Sequence, residues 1–262
     1  MIGLFDSGLG GLSVVRAVRE VLPQHDLLYL ADTAYCPYGP LPRATVQARS
    51  FWCAHWLLTQ GAQLIVIACN TATAAAAEVL RTQLAVPVVA MEPGVKPAVA
   101  ATRNGRIAVL ATQGTLRAER FVGLVQRFAH GIQVQTVACP QFVDLVEAGD
   151  VRSLHAAAVV NNHIAPLIAA GVDTLVLGCT HFPPLRPLIA AAAPAAAIID
   201  TGPAVAAQTA RVALAHGLTI GSGHLRCATT GDPAAVAPTL ARIWGAALPV
   251  EGTICEGCDQ NV

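Results

Sequence analysis

Two cysteines carry the clearest chemical signal in this sequence. Cys69 follows the apolar run Leu64–Ala68 and precedes Asn70-Thr71; Cys179 follows Thr174–Leu177 and Gly178 and precedes Thr180-His181. Each stands where a strand gives way to a helix-like stretch. A thiol at a helix N-terminus can have its pKa drawn toward neutrality and then act as a base. A cysteine taken singly reads equally well as a buried apolar side chain, but the setting here occurs twice, at matching depth. His181, two residues past Cys179, suits proton transfer or pairing with a thiolate, and alternatively only orients the loop. Glu147 ends the apolar stretch PQFVDLVE and by itself also reads as a solvated helix end.

Asp6-Ser7-Gly8-Leu9-Gly10-Gly11 forms a glycine-rich passage from strand to helix. Such a turn presents backbone N–H groups to an anion, here a carboxylate. Asp6 would orient an ammonium group or a thiol proton, or simply cap the helix. Ser13 stands where a dinucleotide fingerprint needs glycine, and no Gly-Lys pair follows, so neither nucleotide motif is met. Cys255-Glu-Gly-Cys258 is half of a zinc ligand set near the C-terminus and reads as a tail, so no metal site is expected. Cys36, Cys53, Cys139 and Cys227 lack the strand-end setting and read as core or surface thiols, Cys36 lying near a candidate site loop.

The elements that must position these groups follow from the apolar pattern. Ile2–Phe5, Leu27–Ala31, Leu64–Ala68, Val86–Met91, Ile107–Ala111, Val134–Ala138, Thr174–Leu177 and Ala197–Ile199 are continuous apolar runs, as expected of parallel strands buried on both faces. Helix-like segments alternate with them, among them Gly11–Val21, Pro42–Gln60, Ala72–Gln83, Gly94–Thr102, Leu116–Phe128, Phe142–Ala148, Val151–Ala170 and Pro203–His216, with a last helix over 232–246. This rhythm predicts an α/β fold with mostly parallel sheets. The plan occurs twice, which predicts two pseudo-symmetric α/β subdomains with the active site in the cleft between them. Residues 1–95 plus 210–262 would carry the first cysteine and 96–209 the second. Open α/β sheets build ligand sites at the carboxyl ends of their strands, where both cysteines fall.

The 262 residues, 54% apolar and only 12% charged, exclude a disordered chain. The formal net charge of +0 excludes a broad electrostatic footprint for nucleic acid or anionic membrane. No uninterrupted apolar run reaches membrane-spanning length, and Asp6 falls inside what would be a signal peptide's apolar stretch. A cytoplasmic chain with free thiols is expected.

Asp6–Gly11 (DSGLGG), Ala31–Gly39 (ADTAYCPYG), Ala68–Ala74 (ACNTATA), Met91–Gly94 (MEPG), Ala111–Thr115 (ATQGT), Cys139–Glu147 (CPQFVDLVE) and Gly178–Pro183 (GCTHFP) together resemble the motifs of the bacterial glutamate racemase family, in the family's order. The resemblance implies cofactor-independent transfer of the α-proton of glutamate, one thiolate removing it and the other thiol delivering a proton to the opposite face. It assigns the D-isomer to Cys69, assisted by Asp6, and the L-isomer to Cys179, assisted by His181 and Glu147. It places substrate against Ser7, Pro37, Tyr38, Gly39, Asn70, Thr71, Thr115 and Thr180, and implies D-glutamate supply for peptidoglycan and a homodimer. Tyr35, Leu41 and Phe182 depart from the family's usual arginine, arginine and tyrosine. A relative acting on aspartate or a hydantoin, or a protein-binding inhibitor of DNA gyrase, are the alternatives. Lys96 is the only lysine and lies outside every strand-end motif, which argues against a pyridoxal enzyme.

Overall fold

The computed structural model describes residues 1–253. Cys255 and Cys258 lie outside the described residues. The chain opens with β1 (Ile2–Asp6), α1 (Leu12–Val21), β2 (Leu27–Ala31), α2 (Arg43–Thr59), β3 (Leu64–Ile67), α3 (Asn70–Gln83) and β4 (Val88–Ala90). It continues with α4 (Val95–Ala101), β5 (Arg106–Ala111), α5 (Gln113–Arg117), α6 (Glu119–Phe128), β6 (Gln133–Ala138), α7 (Pro140–Glu147), α8 (Leu154–Ala169), β7 (Thr174–Leu177), α9 (Arg186–Ala192) and β8 (Ala197–Asp200). It ends with α10 (Gly202–Ala215), β9 (Leu225–Thr229), α11 (Pro233–Trp244) and β10 (Val250–Gly252).

These strands form two parallel sheets, one in the order β10-β9-β2-β1-β3-β4 and one in the order β6-β5-β7-β8. The central strands β1, β2, β3 and β7 are buried at every position, the reason their sequences run apolar without alternation. Helices cover both faces of each sheet. On the first, Ile2 and Leu4 point into a core shared with α1 and α10, while Phe5 points into one shared with α2 and α3. Gly3 faces α2 so closely that a Cβ there would lie 3.1 Å from the Leu57 Cβ. On the second, Leu175 and Leu177 join α7 and α8, while Val109 and Val176 join α4 and α6.

Several expectations need correction. Val134–Ala138 is not a buried run: β6 is the edge strand of the second sheet, and its residues are half-buried or exposed. The helix expected over Leu116–Phe128 is broken into α5 and α6, because Ala118 adopts an extended conformation with ψ of 133°. Strands β9 and β10 follow from no continuous apolar run. Arg226 and Glu251 interrupt them and pair with each other across the outer strands, Nη2 to Oε2 at 2.8 Å. Helix α10 passes residue 210 unbroken, and Val205, Ala206 and Ala213 all join the first core. The chain therefore returns to the first sheet at Thr201–Gly202, ahead of the expected 210.

The two passages between the sheets touch. A Cβ on Gly94, just before α4, would lie 2.9 Å from Ile199 Cγ2 and 3.2 Å from Thr201 Cγ2 at the end of β8. Among the described residues, no helix is long and apolar enough to cross a membrane.

Candidate active site

The carboxyl ends of β1, β3, β5 and β7 meet at one place. β1 ends in Asp6, fully buried. The Asp6 carboxylate accepts from Ser7 Oγ at 2.9 Å, from the Gly8 N–H at 3.3 Å and, across the two halves, from Thr180 Oγ1 at 2.7 Å. Past β3, Cys69 is the N-cap of α3 and its sulfur accepts the Ala72 N–H at 3.4 Å. The Cys69 thiol faces Ser7 Oγ at 3.8 Å. Thiol, Ser7 hydroxyl and Asp6 carboxylate thus form a row along which a proton can pass.

Past β7, Cys179 does not cap a helix; a short turn over Pro183–Leu185 intervenes before α9. Its partner is instead His181, Nδ1 at 3.6 Å from the sulfur. The other ring nitrogen, Nε2, lies 2.6 Å from Glu147 Oε1 at the end of α7, and that oxygen also accepts the Leu9 N–H at 2.6 Å. The anion met by the glycine-rich turn is therefore the protein's own Glu147. The glycines serve close approach: a Cβ on Gly8 would lie 2.2 Å from Glu147 Oε1, and one on Gly10 would lie 2.5 Å from His181 Nδ1.

Burial pushes the Cys69 thiol up to about 12, helped by the Asp6 charge and only partly countered by the Ala72 N–H and Ser7. The neutral-range thiol expected at a helix N-terminus is thus not found at Cys69, because desolvation outweighs the helix end. Asp6 is also raised by burial, against the lowering pull of the His181 charge and of Thr180 and Ser7. For His181, burial pulls downward, but hydrogen bonds to Cys179, Cys36 and Glu147 win and hold the ring well above its ordinary value, favouring the imidazolium. For Glu147, burial pulls upward, but the His181 contact and the Leu9 N–H prevail and hold the carboxyl below its ordinary value.

Ser7, Cys69, Cys179, Thr180 and His181 line one cavity together with Pro37, Tyr38, Gly39, Asn70, Thr71, Thr112 and Val143. Its volume is about 10 Å³, the room of roughly one water molecule. Asp6 and Glu147 stand behind this lining. Thr115 does not line it, but its hydroxyl lies 3.0 Å from Thr112 Oγ1 and 3.4 Å from Thr71 Oγ1, joining α5 of one half to α3 of the other. The Tyr38 hydroxyl points away and donates to Asp32, whose carboxylate also pairs with Arg49 at 2.7 Å. Asn70 keeps a buried Oδ1 without a partner among the described residues. A larger hollow of about 510 Å³ opens past Gly39 and Thr71, between α2, α3 and α5, and no thiol lines it.

Three residues were not singled out from sequence. Thr112 lies inside the ATQGT segment without a role of its own, although its N-cap position before α5 follows from the Thr-x-x-Thr spacing. Val143 is an apolar residue of a helix and carries no signal to tell it from core. Cys36, read as a core or surface thiol, stands against His181 and Glu147. Lys96 is exposed on α4 with its ammonium 5.8 Å above the Phe128 ring, apart from the cavity.

Residues 12–209 match the Asp/Glu/Hydantoin racemase family. The chain belongs to that family. It is an amino-acid racemase, and so an isomerase. The glutamate racemase of Pseudomonas aeruginosa is 49% identical over 252 residues, covering 95% of this chain and 90% of the relative. That of Herpetosiphon aurantiacus is 48% identical, covering 89% and 93%. Among solved structures, the glutamate racemase of Thermus thermophilus in complex with beta-chloro-D-alanine superposes with a TM-score of 0.82 at 36% identity, 97% of each chain being covered. The Escherichia coli glutamate racemase in complex with L-glutamate and the activator UDP-MurNAc-ala gives 0.86 at 30% identity, covering 96% of this racemase and 97% of that chain.

Proposed function

We propose that this racemase interconverts L- and D-glutamate through two thiols and without a cofactor, supplying D-glutamate for peptidoglycan in the cytoplasm. The observation that carries the reading is the placement of Cys69 and Cys179 on one small cavity, each from a different sheet and each backed by its own proton relay. Inversion at carbon requires a base on one face and an acid on the other, and a thiol pair from facing halves supplies both. Relatives at 48–49% identity over most of the chain support glutamate as the substrate.

The two sides have different roles in the closed state. Cys69, pushed up to about 12, holds its proton and serves as the donor. Cys179, 3.6 Å from His181 Nδ1, is the acceptor in this direction. L-glutamate therefore gives its α-proton to Cys179 while Cys69 protonates the opposite face, leaving a D-product and a Cys69 thiolate. Ser7 and Asp6 return a proton to Cys69; Cys179 gives up its own proton to solvent when product leaves, while His181 and Glu147 orient the sulfur. Backbone N–H groups and the hydroxyls of Ser7, Thr71 and Thr180 hold the carboxylates, with Pro37, Tyr38, Gly39, Asn70 and Thr115 shaping the pocket. A homodimer follows from the family resemblance and is checked by light scattering.

Circular dichroism of each glutamate enantiomer, with chelator present and pyridoxal phosphate absent, tests the reading. Racemisation in both directions, lost in Cys69→Ser and in Cys179→Ser, is expected. Full racemisation by either variant, or faster turnover of aspartate than of glutamate, overturns it.

A further inference from the structure

Cys36 does not line the cavity between the two thiols, but it stands against His181 and Glu147. Its sulfur, a Glu147 carboxylate oxygen and a His181 ring nitrogen lie within 4.8 Å of one another. Three separate elements deliver them: the loop ahead of α2, the end of α7 and the turn past β7. Gly8 makes the convergence possible, since a Cβ there would lie 2.7 Å from the Cys36 sulfur and 2.2 Å from Glu147 Oε1. Cys36 and Glu147 are half-buried and reachable from solvent, while His181 is buried behind them.

One thiolate, one imidazole and one carboxylate form the donor set of a borderline-soft divalent ion, zinc above all. Tetrahedral zinc with bonds of about 2.0–2.3 Å spaces its donor atoms roughly 3.3–3.8 Å apart. The His181 Nε2 to Glu147 Oε1 contact of 2.6 Å must open by about 1 Å, and the sulfur already lies within 4.8 Å of both atoms. Rotation about side-chain bonds supplies the opening. The other ring nitrogen already has a partner in Cys179, which fixes the ring's orientation as ligating histidines require.

We propose that Cys36, His181 and Glu147 form a site for one zinc-class divalent cation, with water in the fourth position, and that its occupation inhibits the racemase. Coordination breaks the Cys36 S–H and the His181 Nε2–H bonds, forms metal–sulfur and metal–nitrogen bonds, and releases both protons to solvent; no electron is transferred. Glu147 leaves the ring for the ion. His181 is then locked with its remaining proton on Nδ1, toward Cys179, and no longer carries the imidazolium charge beside that sulfur. The inhibition rests on the two-thiol reading of function; the binding site does not.

Cobalt(II) titration of the full chain carrying Cys255→Ser and Cys258→Ser tests the site directly. One cobalt per chain with a thiolate-to-cobalt charge-transfer band is expected. Cys36→Ala should lose the band and bind at least about tenfold more weakly, Cys36→Ser should lose the band as well, and Cys179→Ser should keep it. No band in the parent, a band surviving both Cys36 variants, or a band lost in Cys179→Ser overturns the proposal. In the same preparations, zinc should inhibit racemisation reversibly by chelator, and Cys36→Ala should remain active while needing at least about tenfold more zinc for half-inhibition. Equal zinc sensitivity of parent and Cys36→Ala overturns the inhibitory role. A normal cobalt band in a chain that racemises nothing leaves the site standing and removes the two-thiol reading; normal racemisation without a band does the reverse.

Discussion

Cys69 and Cys179 differ in what backs them, a hydroxyl and carboxyl on one side and an imidazolium and carboxylate on the other. That difference has a measurable signature. L- and D-glutamate are equal in free energy, so any variant lowers kcat/KM equally in both directions; asymmetry must show elsewhere. Ser7→Ala cuts the path between Cys69 and Asp6. We expect kcat/KM to fall about tenfold to a hundredfold both ways, with the larger α-deuterium isotope effect appearing for D-glutamate, whose proton Cys69 removes. An equal effect for both enantiomers would count against the relay. The His181–Glu147 pair also bears on stability. Glu147 is held below its ordinary value of 4.5, so its contribution is full above that pH and is lost as pH falls through the lowered value. His181 is held above its ordinary value of 6.5, so its contribution is full below that pH and is lost as pH rises through the raised value. Glu147→Gln should therefore cost about 1–3 kcal/mol, most between pH 4.5 and 6.5, and thermal melts of parent and variant should converge on either side. The two thiols were legible because strand-end cysteines occurred twice. The pairing of Glu147 with the Leu9 N–H was not, since nothing local marks a contact made between α7 and the turn after β1.

At the scale of elements, the central strands were legible for a simple reason: a strand covered on both faces has no polar position to confuse its reading. The edges were not. β6 keeps Gln133, Gln135 and Thr136 on an open side, and β9 and β10 carry an ion pair on the surface, so their patterns merge with loops. The glycine-rich turn was legible as a turn that offers N–H groups to an anion, and its Leu9 N–H meets the Glu147 carboxylate; its second purpose, clearance for His181, was not legible. Gly10→Ala tests this. Its methyl would meet the imidazole and the His181 backbone nitrogen, at 2.5 Å and 2.7 Å, and must displace the Cys179 partner. We expect kcat to fall at least about tenfold with the fold retained by far-ultraviolet circular dichroism, as a misplaced catalytic group does; near-normal kcat would show that the turn has slack.

At the scale of the molecule, a cavity of about 10 Å³ between the two thiols cannot admit an amino acid, so the site must widen to bind one, and we expect a parting of the halves to contribute. Arg120 of α6 bridges them, pairing with Glu78 of α3 at 2.8 Å and with Glu92 in the first passage. Exposed pairs of this kind contribute about 0–1 kcal/mol each. Arg120→Met, which removes both pairs, should accordingly shift the open-to-closed ratio by no more than roughly thirtyfold, raising KM for glutamate and slightly enlarging the radius measured by X-ray scattering without substrate. An unchanged KM would remove the bridge as a latch.

The place of β9 has a bearing on how the chain acquires its shape during synthesis. Leu27 aligns with Leu225 and Ala31 with Thr229, so the second strand made waits for a neighbour almost the whole chain away, while β5 to β8 find all their partners within one continuous stretch. Contacts between distant parts of a chain form late, and domains emerging from the ribosome fold as units. The half bearing Cys179 should therefore mature first, and until β9 arrives the outer side of β2 stays open, a bare strand edge exposed to pairing with other nascent chains.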